Sequence, residues 1–371
     1  MKFTIKKNII LEALSNAVRA ISTKITIPVL NGILFNLSEL GLEIQASDSE
    51  LTIKTTIDNK DIINIEQCGS AVLQSRCLID IIRKMPNDII NFELTENNNI
   101  KIYSQINEYI IECYNILEYP NINLEKSENI IKIKSKLIKE MINQTSYAMS
   151  TQEVRPLLTG LNLKINGDIL ECTGTDSYRL AKKVVKLDEP IYNSINIVIP
   201  GKSVNELVNI LKEDGDVEIN LFKNKVLFIY DNILFQTSLL NGAYPDTSNY
   251  IPKDFSYMIN LNLKEFYSAI DRASTIMLGK DKNIIKMQID NKKMTLYGSS
   301  SDSKCKEELS IDCNNKEKLE ISYSSKYMLD ALKVLDSENI ILLINGDDKP
   351  IIINSVSDDT IIELILPIKT Y

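Results

Sequence analysis

IPVLNGILFNL at residues 27–37 and RPLLTGLNLKI at residues 155–165 are two copies of one pattern. Pro28 answers Pro156, Gly32 answers Gly160 and, further along, Asp48 answers Asp176, each pair 128 positions apart. A register kept over that distance is an internal repeat, and a repeat decides the fold before any single motif does. Beyond the two aspartates, SELTIKTTI (49–57) and SYRLAKKVV (177–185) both alternate apolar and polar residues as strands do.

Working outward, the segments ahead of these strands also match, now in three copies. FTIKKNIILEALSNAVRAI (3–21), IIKIKSKLIKEMINQTSYAM (130–149) and YMINLNLKEFYSAIDRASTIM (257–277) each hold a short alternating run followed by an amphipathic helix. A second set, CGSAVLQSRCLIDIIRKM (68–85), SINIVIPGKSVNELVNIL (194–211) and KLEISYSSKYMLDALKVL (318–335), again reads strand, turn, helix. Between them GLEIQASD (41–48), DILECTGTD (168–176) and KMTLYGSSSD (293–302) are bounded by turn residues that suit hairpins. The third copy lacks the Pro and Gly anchors but keeps the element order, with Asp302 expected in the place of Asp48 and Asp176. The pattern predicts an α+β chain of three tandem domains, 1–125, 126–251 and 252–371. Their boundaries fall in the polar or proline-bearing bridges NINLEKSEN (121–129) and NYIPKDF (249–255). Each domain places two helices on one face of an antiparallel sheet.

Composition narrows the chemistry. The 371 residues exceed what one core organises, and 44% hydrophobic with 25% charged residues is a globular balance. Histidine is absent, which removes the commonest general base and metal ligand, and with it histidine triads and zinc-hydrolase sites. No two of Cys68, Cys77, Cys113, Cys172, Cys305 and Cys313 stand two to four residues apart, so they read as scattered reduced core thiols with no zinc clip or redox pair. The start, MKFTIKKNIILEALSNAV, is broken by Lys, Asn, Glu and Ser before a signal-peptide core forms, and no run approaches a membrane span. A cytoplasmic protein is expected.

The net charge of −8 argues against a nucleic-acid partner only if charge is evenly spread. It is not. The helix windows 7–24, 76–85, 136–149, 202–212, 263–277 and 325–335 hold fourteen Lys or Arg against seven Asp or Glu, leaving −15 for strands and loops. Helices gathered on one side of a curved sheet would make a basic face suited to phosphates without base reading. With no Trp and with scattered Tyr there is no stacking ladder for single strands, and no helix-turn-helix, zinc-finger or RNA-recognition signature is present.

Catalytic signals are sparse. LGKDKN (278–283) lacks the Ser or Thr that would complete a phosphate loop. The pairs Asp347–Asp348 and Asp358–Asp359 could hold metal ions or act as acid and base, yet both sit between strands, where Asp favours turns. Thr175, Asp176 and Ser177 lack a base to activate a nucleophile. No catalytic residue, metal site or cofactor is expected. Three readings stay open on the residues alone: a non-catalytic clamp, a triplicated ring-forming scaffold without DNA binding, and a metal-dependent nuclease or glycosidase resting on the paired aspartates.

The threefold pattern, together with TDSYRLA (175–181), LLNGAYPDTSNYIP (239–252), KYMLDALKVL (326–335) and the terminal ILPIKTY (365–371), resembles the beta subunit of bacterial DNA polymerase III, the replicative sliding clamp. The resemblance spans the whole chain. It implies a head-to-tail homodimeric ring around double-stranded DNA, a processivity role without catalysis, and a bacterial location at the nucleoid during replication. It also implies partners: the replicative polymerase, the clamp loader, and repair and mismatch-repair proteins carrying short clamp-binding peptides. Matched by motif, Lys24, Arg76, Arg83, Gln152 and Lys202 fall at DNA-channel positions. The peptide pocket would be walled by Leu158, Thr175, Tyr178, Arg179, Leu180, Pro245, Tyr250, Leu364, Leu366, Pro367 and Ile368. Tyr109 and Ile111 would meet Thr275 and Ile276 at the dimer joint. The family commonly has Arg where Lys24 stands, His where Tyr178 stands and a cation where Asn249 stands, so a less basic pocket rim is expected here.

Overall fold

The computed structural model describes residues 1–22, 27–127, 130–252, 254–277 and 283–369. The first section runs β1 (Lys2–Lys6), α1 (Lys7–Ala17), β2 (Gly32–Ser38), β3 (Gly41–Ser47), β4 (Leu51–Asp58), β5 (Ile62–Gln67), β6 (Gly69–Gln74), α2 (Ser75–Lys84), β7 (Ile89–Leu94), β8 (Asn99–Tyr103) and β9 (Glu108–Tyr114). The second runs β10 (Ile130–Lys134), α3 (Ser135–Thr145), β11 (Gly160–Thr175), β12 (Arg179–Pro200), α4 (Gly201–Ile210), β13 (Asp216–Leu221), β14 (Lys225–Tyr230) and β15 (Ile233–Ser238). The third runs β16 (Tyr257–Asn262), α5 (Leu263–Thr275), β17 (Ile284–Asp290), β18 (Lys293–Ser299), β19 (Lys304–Ser310), β20 (Asp312–Cys313), β21 (Leu319–Ser324), α6 (Ser325–Lys333), β22 (Asn339–Ile344), β23 (Ile351–Ser355) and β24 (Ile361–Ile365). Two α-helices per section and antiparallel pairing throughout are the architecture that the repeat implies.

The chain packs as two compact units, Met1–Lys139 with Asn205–Leu239, and Glu140–Val204 with Leu240–Tyr371. The middle section is therefore shared, because its two sheets join different neighbours. In the first unit β15 pairs with β4 (Ile233↔Thr55 to Thr237↔Leu51), which carries one sheet through thirteen strands, β10-β13-β14-β15-β4-β3-β2-β6-β9-β8-β7-β1-β5. In the second, β12 pairs with β24 (Arg179↔Ile365 to Lys183↔Ile361) within a seven-stranded sheet, β11-β12-β24-β23-β22-β16-β20, and β19-β18-β17-β21 form a third sheet.

Periodicity accounts for the layers. In α1, Ile10, Ala13, Leu14 and Ala17 are buried at helical spacing, so one stripe meets the sheet. In β1, Phe3 and Ile5 point inward while Lys6 is exposed. Phe3 stacks on Phe92 at 4.8 Å, and each such fully buried ring contributes about 1.5–3 kcal/mol. Phe266, Ile270, Met287, Tyr323, Met328 and Leu332 form the matching core of the third section.

Three expectations are corrected here. The helices end sooner than their windows: α1 gives way to a 3-10 turn at Val18–Ala20, Lys212 lies past the end of α4, and Lys24 lies outside the described residues. The six α-helices then carry eleven cations against seven acids, a net of +4, and the charge bias is smaller than the windows suggest. The repeat of the hairpin turn falls on Ser300, and Asp302 does not take it. Asp48 accepts from the backbone N–H groups of Glu50 and Leu51, and Asp176 from those of Tyr178 and Arg179. Ser300 Oγ plays that part for Asp302 and Ser303 in a turn of the same length, since Ser299 pairs with Lys304 as Ser47 pairs with Thr52. Finally, only Cys113 and Cys172 are buried among the free cysteines; Cys68 and Cys77 are exposed.

Candidate functional site

A cavity of about 680 Å³ lies in the second unit, and its walls follow from strand alternation. In the paired strands β12 and β24, Leu180 faces Leu364, and both side chains help to line the cavity. Leu366 continues the wall beyond β24, its N–H donating to the Tyr178 carbonyl at 2.9 Å. Leu157 and Leu158 come from the 3-10 turn Pro156–Thr159, which proline starts. The segment 241–250 closes the other side with Ala243, Pro245, Thr247 and Tyr250. Gly242 takes φ +135° there, with Leu157 packed so close that a β-carbon would meet it at 2.7 Å. Leu158, Leu180 and Leu364 are almost wholly buried, whereas Tyr178 and Tyr250 are 63% and 58% exposed. The result is an apolar floor under two aromatic side chains, suited to apolar anchors rather than to a reaction.

Nine of the eleven residues expected at a pocket line this cavity: Leu158, Thr175, Tyr178, Arg179, Leu180, Pro245, Tyr250, Leu364 and Leu366. Pro367 and Ile368 do not, because the chain leaves the wall after Leu366 and the Ile368 N–H pairs with the Ser322 carbonyl at 2.7 Å. Sequence reasoning passed over Arg155, Leu157, Ser177 and Pro350. The first two lie inside the quoted RPLLTG and were within reach; Pro350 comes from the loop between β22 and β23, which no local pattern ties to the site.

Behind the wall the sheet carries charge. Thr175 Oγ1 donates to the Arg179 carbonyl at 2.6 Å, and Asp176 caps the turn, so the backbone on which Arg179 sits is fixed locally. The Arg179 guanidinium, 9% exposed, donates through Nε to Asp176 at 3.1 Å and through Nη1 to Asp330 of α6 at 2.8 Å. Its plane lies over the rings of Tyr327 at 4.5 Å and Tyr147 at 5.2 Å. The Tyr147 hydroxyl donates to Glu363 Oε2. Burial pushes the Glu363 carboxyl well above the usual range, against the opposing pull of Tyr147 and Arg179. Burial likewise raises the Tyr147 phenol, and the neighbouring Glu363 adds to the shift. Four positions along β12 from Arg179, Lys183 is 3% exposed and bridges Glu140 at 3.1 Å and Asp358 at 2.5 Å. Burial alone would raise the Asp358 carboxyl, yet Lys183 and Thr360 hold it below its ordinary value. Asp358 is thus occupied in structure, while Asp348 makes only an exposed contact with Lys349 at 3.7 Å.

The equivalent place in the first unit is built differently. Thr52 and Gln236 pair where Leu180 and Leu364 pair, and both are buried. Polar side chains there cannot make an apolar wall.

The remaining candidates are placed as follows. Arg76 and Arg83 are exposed on α2, Arg83 beside Asp80 at 3.2 Å. In the second unit Gln152 is exposed in the loop after α3, its N–H bonded to Ser150 Oγ, and Lys202 is exposed in the first turn of α4. Lys24 lies outside the described residues. Tyr109 and Ile111 lie on β9, whose stretch Glu108–Glu112 pairs with β8 on one side, while β6 reaches only Cys113 and Tyr114 on the other. Ile110 is 61% exposed on this open edge. Thr275 and Ile276 end α5, and β19 of the same unit pairs only with β18 among the described strands.

Comparison with known proteins places these features together. Residues 1–123, 132–246 and 248–369 match family models described as the N-terminal, central and C-terminal domains of the DNA polymerase III beta subunit. The chain is 40% identical over 378 residues to the beta sliding clamp of Bacillus subtilis and 37% identical over 379 residues to that of Staphylococcus aureus, with 100% of each chain covered. It superposes on the crystal structure of the Bacillus subtilis DNA polymerase sliding clamp with a TM-score of 0.95 at 39% identity, and on the DNA polymerase III beta chain of Streptococcus pneumoniae with 0.95 at 30%, each over 100% of both chains.

Proposed function

The chain belongs to the DNA polymerase III beta subunit family, and from that premise we propose a full reading of how it works. It is a DNA sliding clamp of three tandem α+β clamp domains, a processivity factor with no catalytic role of its own. The repeats 1–125, 126–251 and 252–371 are taken as those three domains. Two chains close head to tail into a homodimeric ring around double-stranded DNA. The observation that carries this reading is the pair of open edges, the Glu108–Glu112 stretch of β9 in the first unit and β19 in the second, each paired on one side only among the described strands. An open edge is a template for another strand, and joining unlike edges of two copies removes all of them.

A closed ring holds DNA by topology, so contacts stay weak and sequence-independent. Arg76, Arg83, Gln152, Lys202 and Lys24 are the assigned phosphate contacts, and the net +4 of the α-helices suits sliding better than a strong basic groove would. The apolar cavity receives short peptides from the replicative polymerase, the clamp loader and the repair and mismatch-repair proteins, during replication at the nucleoid. Leu158, Leu180, Leu364 and Leu366 seat the anchors, with Pro367 and Ile368 next along the same segment.

The test is a titration with a short labelled peptide from the bacterium's replicative polymerase. Leu366→Ala is expected to weaken binding about tenfold, as truncation of a partly exposed anchor contact does. Unchanged affinity would remove the cavity from this role.

A further inference from the structure

The charged cluster behind the cavity is not required by the fold. At the repeated positions of the first unit, Leu51, Ile53 and Phe235 stand where Arg179, Ala181 and Glu363 stand, all three buried as ordinary core. The same strand pair in the second unit buries a guanidinium and a carboxyl instead. Replacing such groups by packed apolar side chains is generally neutral or stabilising, so their presence here calls for a role.

Their placement supplies one. Along β12 and β24, Leu180 and Leu364 line the cavity; Glu363 is the immediate neighbour of Leu364 on the opposite face, and Arg179, next to Leu180, borders the cavity itself. Moving Arg179 or Glu363 therefore moves the wall. Arg179 is already neutralised by Asp176 and Asp330, so an ionised Glu363 would be a third carboxylate around one guanidinium. Glu363 is wholly buried, and its Oε1 has no hydrogen-bond partner among the described residues. An unpaired anionic oxygen there is far costlier than a neutral acid. Tyr147, from the turn after α3, and Arg179, from β12, are the groups set against it; Asp176 of the hairpin and Tyr327 and Asp330 of α6 are held on Arg179 in turn, and Lys183 lies further along β12. Of these cations, Lys183 is held by Glu140 and Asp358.

We propose that Glu363 is a positioning residue for the peptide cavity, carried as the neutral acid under Tyr147 and beside Arg179, and that its ionisation displaces the β12–β24 wall and releases the peptide. This rests on the peptide reading of the cavity. The sign follows by linkage. In the unfolded chain Glu363 ionises near the ordinary carboxylate value, whereas the folded chain keeps its proton, so folding stability falls as pH rises from that value to the folded one and levels off above it, while peptide binding falls once the folded value is passed.

The experiment compares wild type with Glu363→Gln, an uncharged side chain of the same shape, from about pH 6 to about pH 10. Two readouts are taken, affinity for the labelled polymerase peptide and the thermal unfolding midpoint. Wild type is expected to lose affinity by about tenfold per pH unit once past the folded value, while Glu363→Gln stays flat relative to it. The midpoint of the variant should rise relative to wild type as pH climbs to the folded value, and the difference should stay constant beyond it. Both proteins share every other titrating group, so the difference belongs to Glu363. Superimposable affinity profiles would overturn the proposal, as would loss of affinity by Glu363→Gln at neutral pH. If wild type binds no peptide at any pH, the peptide reading of the cavity fails and the proposal with it. The midpoint comparison then still shows separately whether Glu363 is carried neutral.

Discussion

Tyr109→Lys combined with Ile111→Lys is expected to weaken subunit association by about a hundredfold, converting the ring to single chains at micromolar concentration. Both residues lie on the stretch of β9 that has no strand on one side. Lysine on such a strand is the device by which sheets block edge pairing. Here it would also replace the apolar contact assigned to Thr275 and Ile276. Tyr109 and Ile111 are not fully buried in the single chain, so the fold itself should persist. Sedimentation over a concentration series, with circular dichroism as the control for folding, decides it. A dimer of unchanged strength would place the joint elsewhere.

The second large effect is on stability. Arg179→Ala should lower the unfolding free energy of the second unit by about 3 kcal/mol, since it strips the cation from Asp176 and Asp330 in a largely buried setting. It also removes the plane that fills the space between Tyr147 and Tyr327. In urea the midpoint should fall with little change in slope, because the surface exposed on unfolding is nearly the same. A loss below about 1 kcal/mol would mean that the ion pairs behave as surface pairs do.

How far the sequence led differs from element to element. The hairpin turns at Asp48 and Asp176 were legible because an aspartate that caps its own turn leaves a fixed residue at a fixed spacing. The third turn was misassigned to Asp302 for the same reason: a serine caps it as an aspartate would, and the nearest aspartate stands two residues further on. Most of the cavity was legible, since RPLLTG, TDSYRLA and the chain end bring their leucines as contiguous motifs. Pro367 and Ile368 were assigned to it from the family motif; they do not line the cavity, and the Ile368 N–H bonds to the Ser322 carbonyl. Pro350 was invisible because it arrives by tertiary packing alone. Glu363 was invisible in a different way. In TIIELILP (360–367) both faces of the strand are apolar, so a single Glu reads as the solvent-facing exception, whereas it is buried on the side away from the cavity. The basic helix face was overstated because windows drawn on periodicity run past the last hydrogen-bonded turn.

The central claim is that the chain holds DNA by encircling it. The most direct measurement loads the protein onto nicked circular duplex with a clamp loader and ATP, isolates the complex, and then linearises the circle. Retention on the circle and loss on linearisation is the predicted result, because a ring slides off an open end. Equal retention on circular and linear DNA would contradict the account, since it would mean binding to sites along the duplex without enclosure.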